Sequence, residues 1–172
     1  PGFVAYARQA VADRRAQFVA ADAQALPLAE GRADAAVSAL VLNFVPRPAQ
    51  AVAAMARAVR PGGPVAAYVW DYAKGMQLLR AFWEAATALD PTAAALDEGV
   101  RFPLCAPEPL RALFEAAGLH AVAVQALDIP TIFNDFDDFW TPFLGGQGPA
   151  PTYVQGLGAE QRGQAQAIAE NM

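Results

Sequence analysis

Three short apolar runs, each closed by an acid or an amide, constrain this chain more than any other feature in it. They are Gln17–Ala21 before Asp22, Ala35–Leu42 before Asn43, and Val65–Trp70 before Asp71. Runs of that length, bounded by turn residues, read as buried strands; the second is rich enough to be covered on both faces. Helical patterns lie between and around them. Phe3, Val4 and Ala7, followed by Ala10 and Val11, make an amphipathic helix over residues 1–12. Pro48 suits the first turn of another, with Val52, Met55, Ala56 and Val59 as its buried stripe. Arg57 and Arg60 favour the negative end of that helix, and Pro61-Gly62-Gly63 stops it. Leu78, Leu79, Phe82, Trp83 and Ala86 form a third helix, and residues 107–117 a fourth ended by Gly118. Val122–Ile129 then alternates as a strand.

Strands alternating with helices, joined by connections long enough to cross over, predict an α/β fold with a doubly wound, mostly parallel sheet. Ligands of such sheets lie beyond the carboxyl ends of the strands, where Asp22, Leu40–Asn43 and Trp70–Tyr72 fall. Past Pro130 the character changes. Phe133, Phe136, Phe139, Trp140 and Phe143 crowd among acids and then a Gly/Pro-rich stretch. The expected organisation is a core over residues 1–130, with residues 131–172 as an aromatic cap over a cleft and a C-terminal helix.

Composition narrows the function. With 55% hydrophobic and 17% charged residues over 172 positions, disorder is excluded. No apolar run approaches the roughly 20 residues of a membrane helix. A net charge of −5 without any basic cluster argues against nucleic acid. One cysteine, Cys105, excludes an internal disulfide and a cysteine-built metal site, and suits a reducing cytoplasm. The single histidine, His120, comes after a turn far from the expected cleft and reads as structural. Neither end carries a start or stop signal, so both read as cuts within a longer chain.

Three segments in order carry a family resemblance: Phe18-Val-Ala-Ala-Asp-Ala-Gln-Ala-Leu-Pro27, Asp34–Pro48, and Met55-Ala-Arg-Ala-Val-Arg-Pro-Gly-Gly63. Together they resemble the middle of the class I S-adenosylmethionine-dependent methyltransferases, methyltransferase type 11, in the branch that includes ubiquinone and menaquinone biosynthesis enzymes. The resemblance covers residues 1–72 well and extends loosely to Leu113–Leu119. It implies a Rossmann-like seven-stranded sheet in which residues 1–12 are the helix after the second strand. The first two strands, the glycine-rich cofactor loop and the ribose-binding acid would then precede Pro1, and the seventh strand would come after Met172.

By the same resemblance, S-adenosyl-L-methionine is the cofactor. Asp22 would accept a hydrogen bond from the adenine amino group, with the Ala23 amide against the ring; Asp22 alone reads equally as a turn aspartate. Phe3 matches a position that packs on the adenine face, or it is a core staple. Ala39 and Leu40 match the strand end along the cofactor's aminoacyl and sulfonium portion, or they are plain strand core. Asn43 stands where relatives often carry histidine, and its amide orients a ligand or bonds the next turn. Asp71 either takes a proton from the acceptor or caps the helix after it. Trp70, Tyr72, Phe139 and Trp140 line a substrate pocket, or the last two form a satellite cluster.

In-line methyl transfer to an oxygen, nitrogen or carbon of a small metabolite needs alignment and exclusion of water rather than a triad. The absence of any Ser-His, Cys-His or zinc set is compatible with it. The rivals are a degenerate, non-catalytic interaction module and a nucleotide-dependent oxidoreductase. The latter lacks its Tyr-x-x-x-Lys spacing, since Lys74 comes too soon after Tyr72.

Overall fold

A proline at the first turn of one helix and a glycine pair beyond its end set the frame of the N-terminal half. The computed structural model describes residues 2–145 and 147–170. Pro1, Asn171 and Met172, expected within terminal helices, lie outside the described residues, as does Gly146. By their contacts the described residues form two units, Pro1–Tyr68 with Ala116–Leu119, and Val69–Glu115 with His120–Met172.

The first unit opens with helix α1, Gly2–Ala10, which buries none of its residues. Strand β1 spans Ala36–Ala39, helix α2 spans Pro48–Ala58, and strand β2 spans Val65–Tyr68. β1 and β2 pair in parallel, Ala36 opposite Val65 through Ala39 opposite Tyr68, so α2 is the crossover between them. Pro48 sits in the first turn of α2, where its missing N–H costs nothing. Ala51, Val52, Ala54, Met55 and Ala58 are its buried face, and Leu42 and Val59 join the same core. An isolated parallel bridge from Ala33 to Val59 continues the pairing past β1. Gly63 is needed for close approach: a Cβ there would lie 2.5 Å from both the Asp34 carbonyl oxygen and Val59 Cγ1.

In the second unit, helix α3 spans Gln77–Leu89, α4 spans Glu98–Arg101 and α5 runs from Pro107 to Ala116. Then α6, Phe136–Trp140, α7, Pro149–Gly156, and α8, Ala159–Glu170, complete it. Phe82 and Trp83 of α3 lie in a core with Trp140, Phe143, Val154, Ala165 and Ala169. The Phe82 and Phe143 rings stack at 4.4 Å between centroids. Beside this core, the buried Glu98 carboxylate accepts the Trp83 indole N–H, and Arg80 pairs with both carboxylate oxygens of Asp97. That satisfies charges which would otherwise be costly to bury.

The fold is α/β with a small parallel sheet, and it corrects the sequence reading in five places. Residues 17–21 form no strand: they have no ladder partner, and Val19 is 66% exposed. Val122–Ile129 is also unpaired, with Leu127 80% exposed. An extended run becomes a strand only where a neighbour takes its N–H and C=O groups. β1 stops at Ala39 because Leu40 adopts φ 53°, and Leu42–Phe44 then forms a 3-10 turn. One β1 face stays open at Val37 rather than both being covered. Finally, the aromatics read as a cap are core of the second unit, because α3 presents Phe82 and Trp83 to them.

Candidate functional site

In the first unit the chain between α1 and β1 turns at Asp22, where the Ala25 N–H bonds the Asp22 carbonyl at 3.0 Å. Asp22 Oδ1 accepts the Gln24 backbone N–H at 2.8 Å and Gln24 Nε2 at 3.1 Å, an Asx turn. The bond from the Gln24 backbone, then that from its side chain, holds the Asp22 carboxyl below its usual pKa, and the charge of Arg47 acts in the same direction. Asp22 is therefore an ionised, exposed acceptor at neutral pH. Gln24 Oε1 in turn accepts from Arg47 Nε at 3.0 Å. Arg47 is the residue before α2, so this chain of bonds ties the Asp22 turn to the loop beyond β1.

That loop begins at the carboxyl end of β1. Leu40 donates its N–H to Tyr68 O at 2.9 Å and then reverses into left-handed backbone, which directs the chain away from the sheet. Asn43 comes next in the 3-10 turn. Its Nδ2 is buried and has no hydrogen-bond partner among the described residues. A buried amide left without an acceptor costs free energy unless something supplies one. Asp22, Leu40 and Asn43 are thus brought to one connected loop system, with half-buried Ala23 next to the carboxylate and Ala39 on the exposed side of β1. Phe3 stands on α1 with 93% of its surface exposed, a free ring and no staple.

The second unit places the other expected residues differently. Asp71 opens a turn: its Oδ1 accepts the Lys74 N–H at 3.0 Å, and its carbonyl accepts from Gly75 and Met76. Trp70 remains partly exposed, whereas Tyr72 is buried with its ring 5.5 Å from that of Phe102. Trp140 is also buried and Phe139 half-buried, both within the aromatic core. Burial pushes the Cys105 thiol up to about 11, with the Asp71 charge adding to it, so this cysteine is no nucleophile. Among the described residues no three His, Cys, Asp or Glu side chains gather as metal ligands, and no helix is long and apolar enough to cross a membrane.

Sequence reasoning passed over an open cleft of about 650 Å3 in the second unit, walled by residues that include Asp90, Leu96, Arg101, Tyr153 and Gln161. Those residues come from separate helices and turns and share no motif, so no pattern in the chain marked them.

Comparison with known proteins bears on the first unit. Residues 1–67 match the family described as methyltransferase domain. Malonyl-[acyl-carrier protein] O-methyltransferase of Pseudescherichia vulneris is 48% identical over 60 residues, which take up 34% of this chain and 24% of that protein. No solved structure matches the chain. The matched span contains the Asp22 turn, β1, α2 and β2. Over residues 1–67, therefore, the chain is similar to methyltransferase domains, and the segments around Asp22, Asn43 and Gly63 lie within the matched span.

Proposed function

We propose that this chain is part of an enzyme that moves a methyl group from S-adenosylmethionine to an oxygen, nitrogen or carbon of a small metabolite. The observation that carries the reading is the loop system at the end of β1, where an ionised Asp22 and the unpartnered Asn43 amide stand on a span that matches the methyltransferase domain. An acceptor and a buried orphan donor beside small residues are what an adenosyl group with an amino-acid tail requires. When bound, the cofactor supplies an activated sulfonium carbon, and the chemistry of the methyl group is its own. The protein's part is to bind, align and keep water out.

In this reading the Asp22 carboxylate accepts from the adenine amino group while Gln24 and Arg47 fix its orientation. The Ala23 amide meets the ring, and Phe3 covers a face of it. Ala39 and Leu40 offer a small and an apolar surface to the rest of the cofactor, and Asn43 donates to an oxygen of it. Within the second unit, Asp71 is the residue proposed to take a proton from the nucleophile, and the partly exposed Trp70 next to it the one proposed to meet the substrate. The cytoplasm is the proposed compartment.

Calorimetric titration of the purified protein with S-adenosylmethionine tests the proposal. Binding is expected, and Asp22→Asn, which keeps the turn to Gln24 but loses the charge, should weaken it about tenfold, the scale of one charge-assisted bond. No binding by the unsubstituted protein would overturn the reading.

A further inference from the structure

We propose that the cleft of the second unit is a binding site for a small carboxylic acid with an apolar body, a site separate in its residues from those assigned to methyl transfer. The proposal stands whether or not the first unit binds a cofactor.

The case rests on which polar groups of the wall are already engaged. Asp90, the one acid there, caps the turn after it: its Oδ1 accepts both the N–H and the hydroxyl of Thr92, at 2.9 and 2.7 Å. Gln161 Oε1 accepts the Gly158 N–H at 3.4 Å, which leaves its NH2 end as the free one. Arg101 lies over the neighbouring Phe102 ring, its guanidinium carbon 5.5 Å from the centroid, and takes no part in the ion pairs among the described residues. The Tyr153 hydroxyl is buried without a hydrogen-bond partner among those residues. What remains unspent around the cleft is thus a set of donors: a guanidinium, a phenol and an amide.

Donors of that kind select a planar anion that can accept several bonds at once, and a guanidinium meets a carboxylate in two parallel bonds. The apolar part of the wall, which includes Leu96 and the Tyr153 ring, asks for a hydrocarbon body rather than a second charge. Burial first, and then the Asp90 charge, raise the Tyr153 pKa, so its hydroxyl keeps its proton and remains a donor.

The test compares 4-phenylbutyrate, 4-phenylbutanol and 4-phenylbutylamine, three probes with one body and different heads, by calorimetry on the purified protein. The acid should bind at least tenfold more tightly than the alcohol. Arg101→Gln, an exposed change that keeps the fold, should erase most of that preference. Tyr153→Phe should weaken acid binding several-fold while leaving the melting temperature in place, because the hydroxyl it removes has no partner to lose. Equal binding of acid and alcohol, preference for the amine, acid selectivity that survives Arg101→Gln, or no binding of any probe would each overturn the assignment.

Discussion

At the scale of single residues, position decides what a side chain can do. Asp22 and Asp71 both close an apolar run and both hold a turn, yet only Asp22 lies within the span that matches a methyltransferase domain. The ambiguity between a turn aspartate and a ligand acceptor was visible in the sequence, and the structure shows that Asp22 is an anchored turn residue whose carboxylate is exposed. Cys105 gives a residue-scale prediction. Its pKa rises from 9.0 to about 11 through burial and then the Asp71 charge. Between those values the unfolded chain loses the thiol proton and the folded one keeps it, so this group's effect is absent below the lower value and stability falls as pH climbs through the window. At pH ~8 its thiolate fraction, and with it the rate of alkylation by iodoacetamide, should be about 100-fold below that of an unperturbed thiol. Labelling of the native protein as fast as a free thiol would contradict this. Asn43 is the opposite lesson: only coordinates show that its amide is buried without an acceptor.

Among the elements, the β1–α2–β2 unit was the most legible part. Pro48, the stripe at Val52 and Met55, and the Pro61-Gly62-Gly63 stop are local signals, and α2 begins and ends where they say. The parallel register is their consequence, because a strand, a crossover helix and a second strand leave no antiparallel solution of that length. Its tightest point is Gly63. Gly63→Ala places a methyl 2.5 Å from the Asp34 carbonyl oxygen and from Val59 Cγ1, so either the backbone or the core must yield. A loss of about 1–3 kcal/mol is expected from overpacking, with faster hydrogen exchange at the Ala36 and Leu40 amides that bond the β2 side of the pair. Unchanged exchange at both amides would show that the close approach is not required. Residues 17–21 and 122–129 carry strand patterns as strong as that of β1 and form no strand, since a ladder needs two sides.

For the molecule as a whole, the main aromatic core belongs to the second unit, not to the sheet. Phe82 touches Trp83, Trp140, Phe143 and Tyr153, and Trp83 holds Glu98 through its indole. Phe82→Ala is expected to destabilise that unit by about 3–5 kcal/mol through lost transfer energy and a residual cavity. Denaturant unfolding monitored by tryptophan fluorescence reads it directly, because Trp83 and Trp140 share the core. A loss below about 1 kcal/mol, well under the usual range for Phe→Ala in a core, would mean that the ring cluster is not what stabilises the unit. The first unit instead leaves Phe3, Tyr6, Val19 and Val37 largely in solvent, at 93%, 72%, 66% and 66%.

The sequence by itself determined the helices α1, α2, α3 and α5 and the parallel crossover, because periodicity, caps and turn residues act within a few positions of one another. Tertiary structure alone decided which apolar runs became strands and which aromatics became core. It also decided which donors were left unspent around a cleft. Each of these depends on what lies across from a residue, and distant segments meet only when the chain has folded.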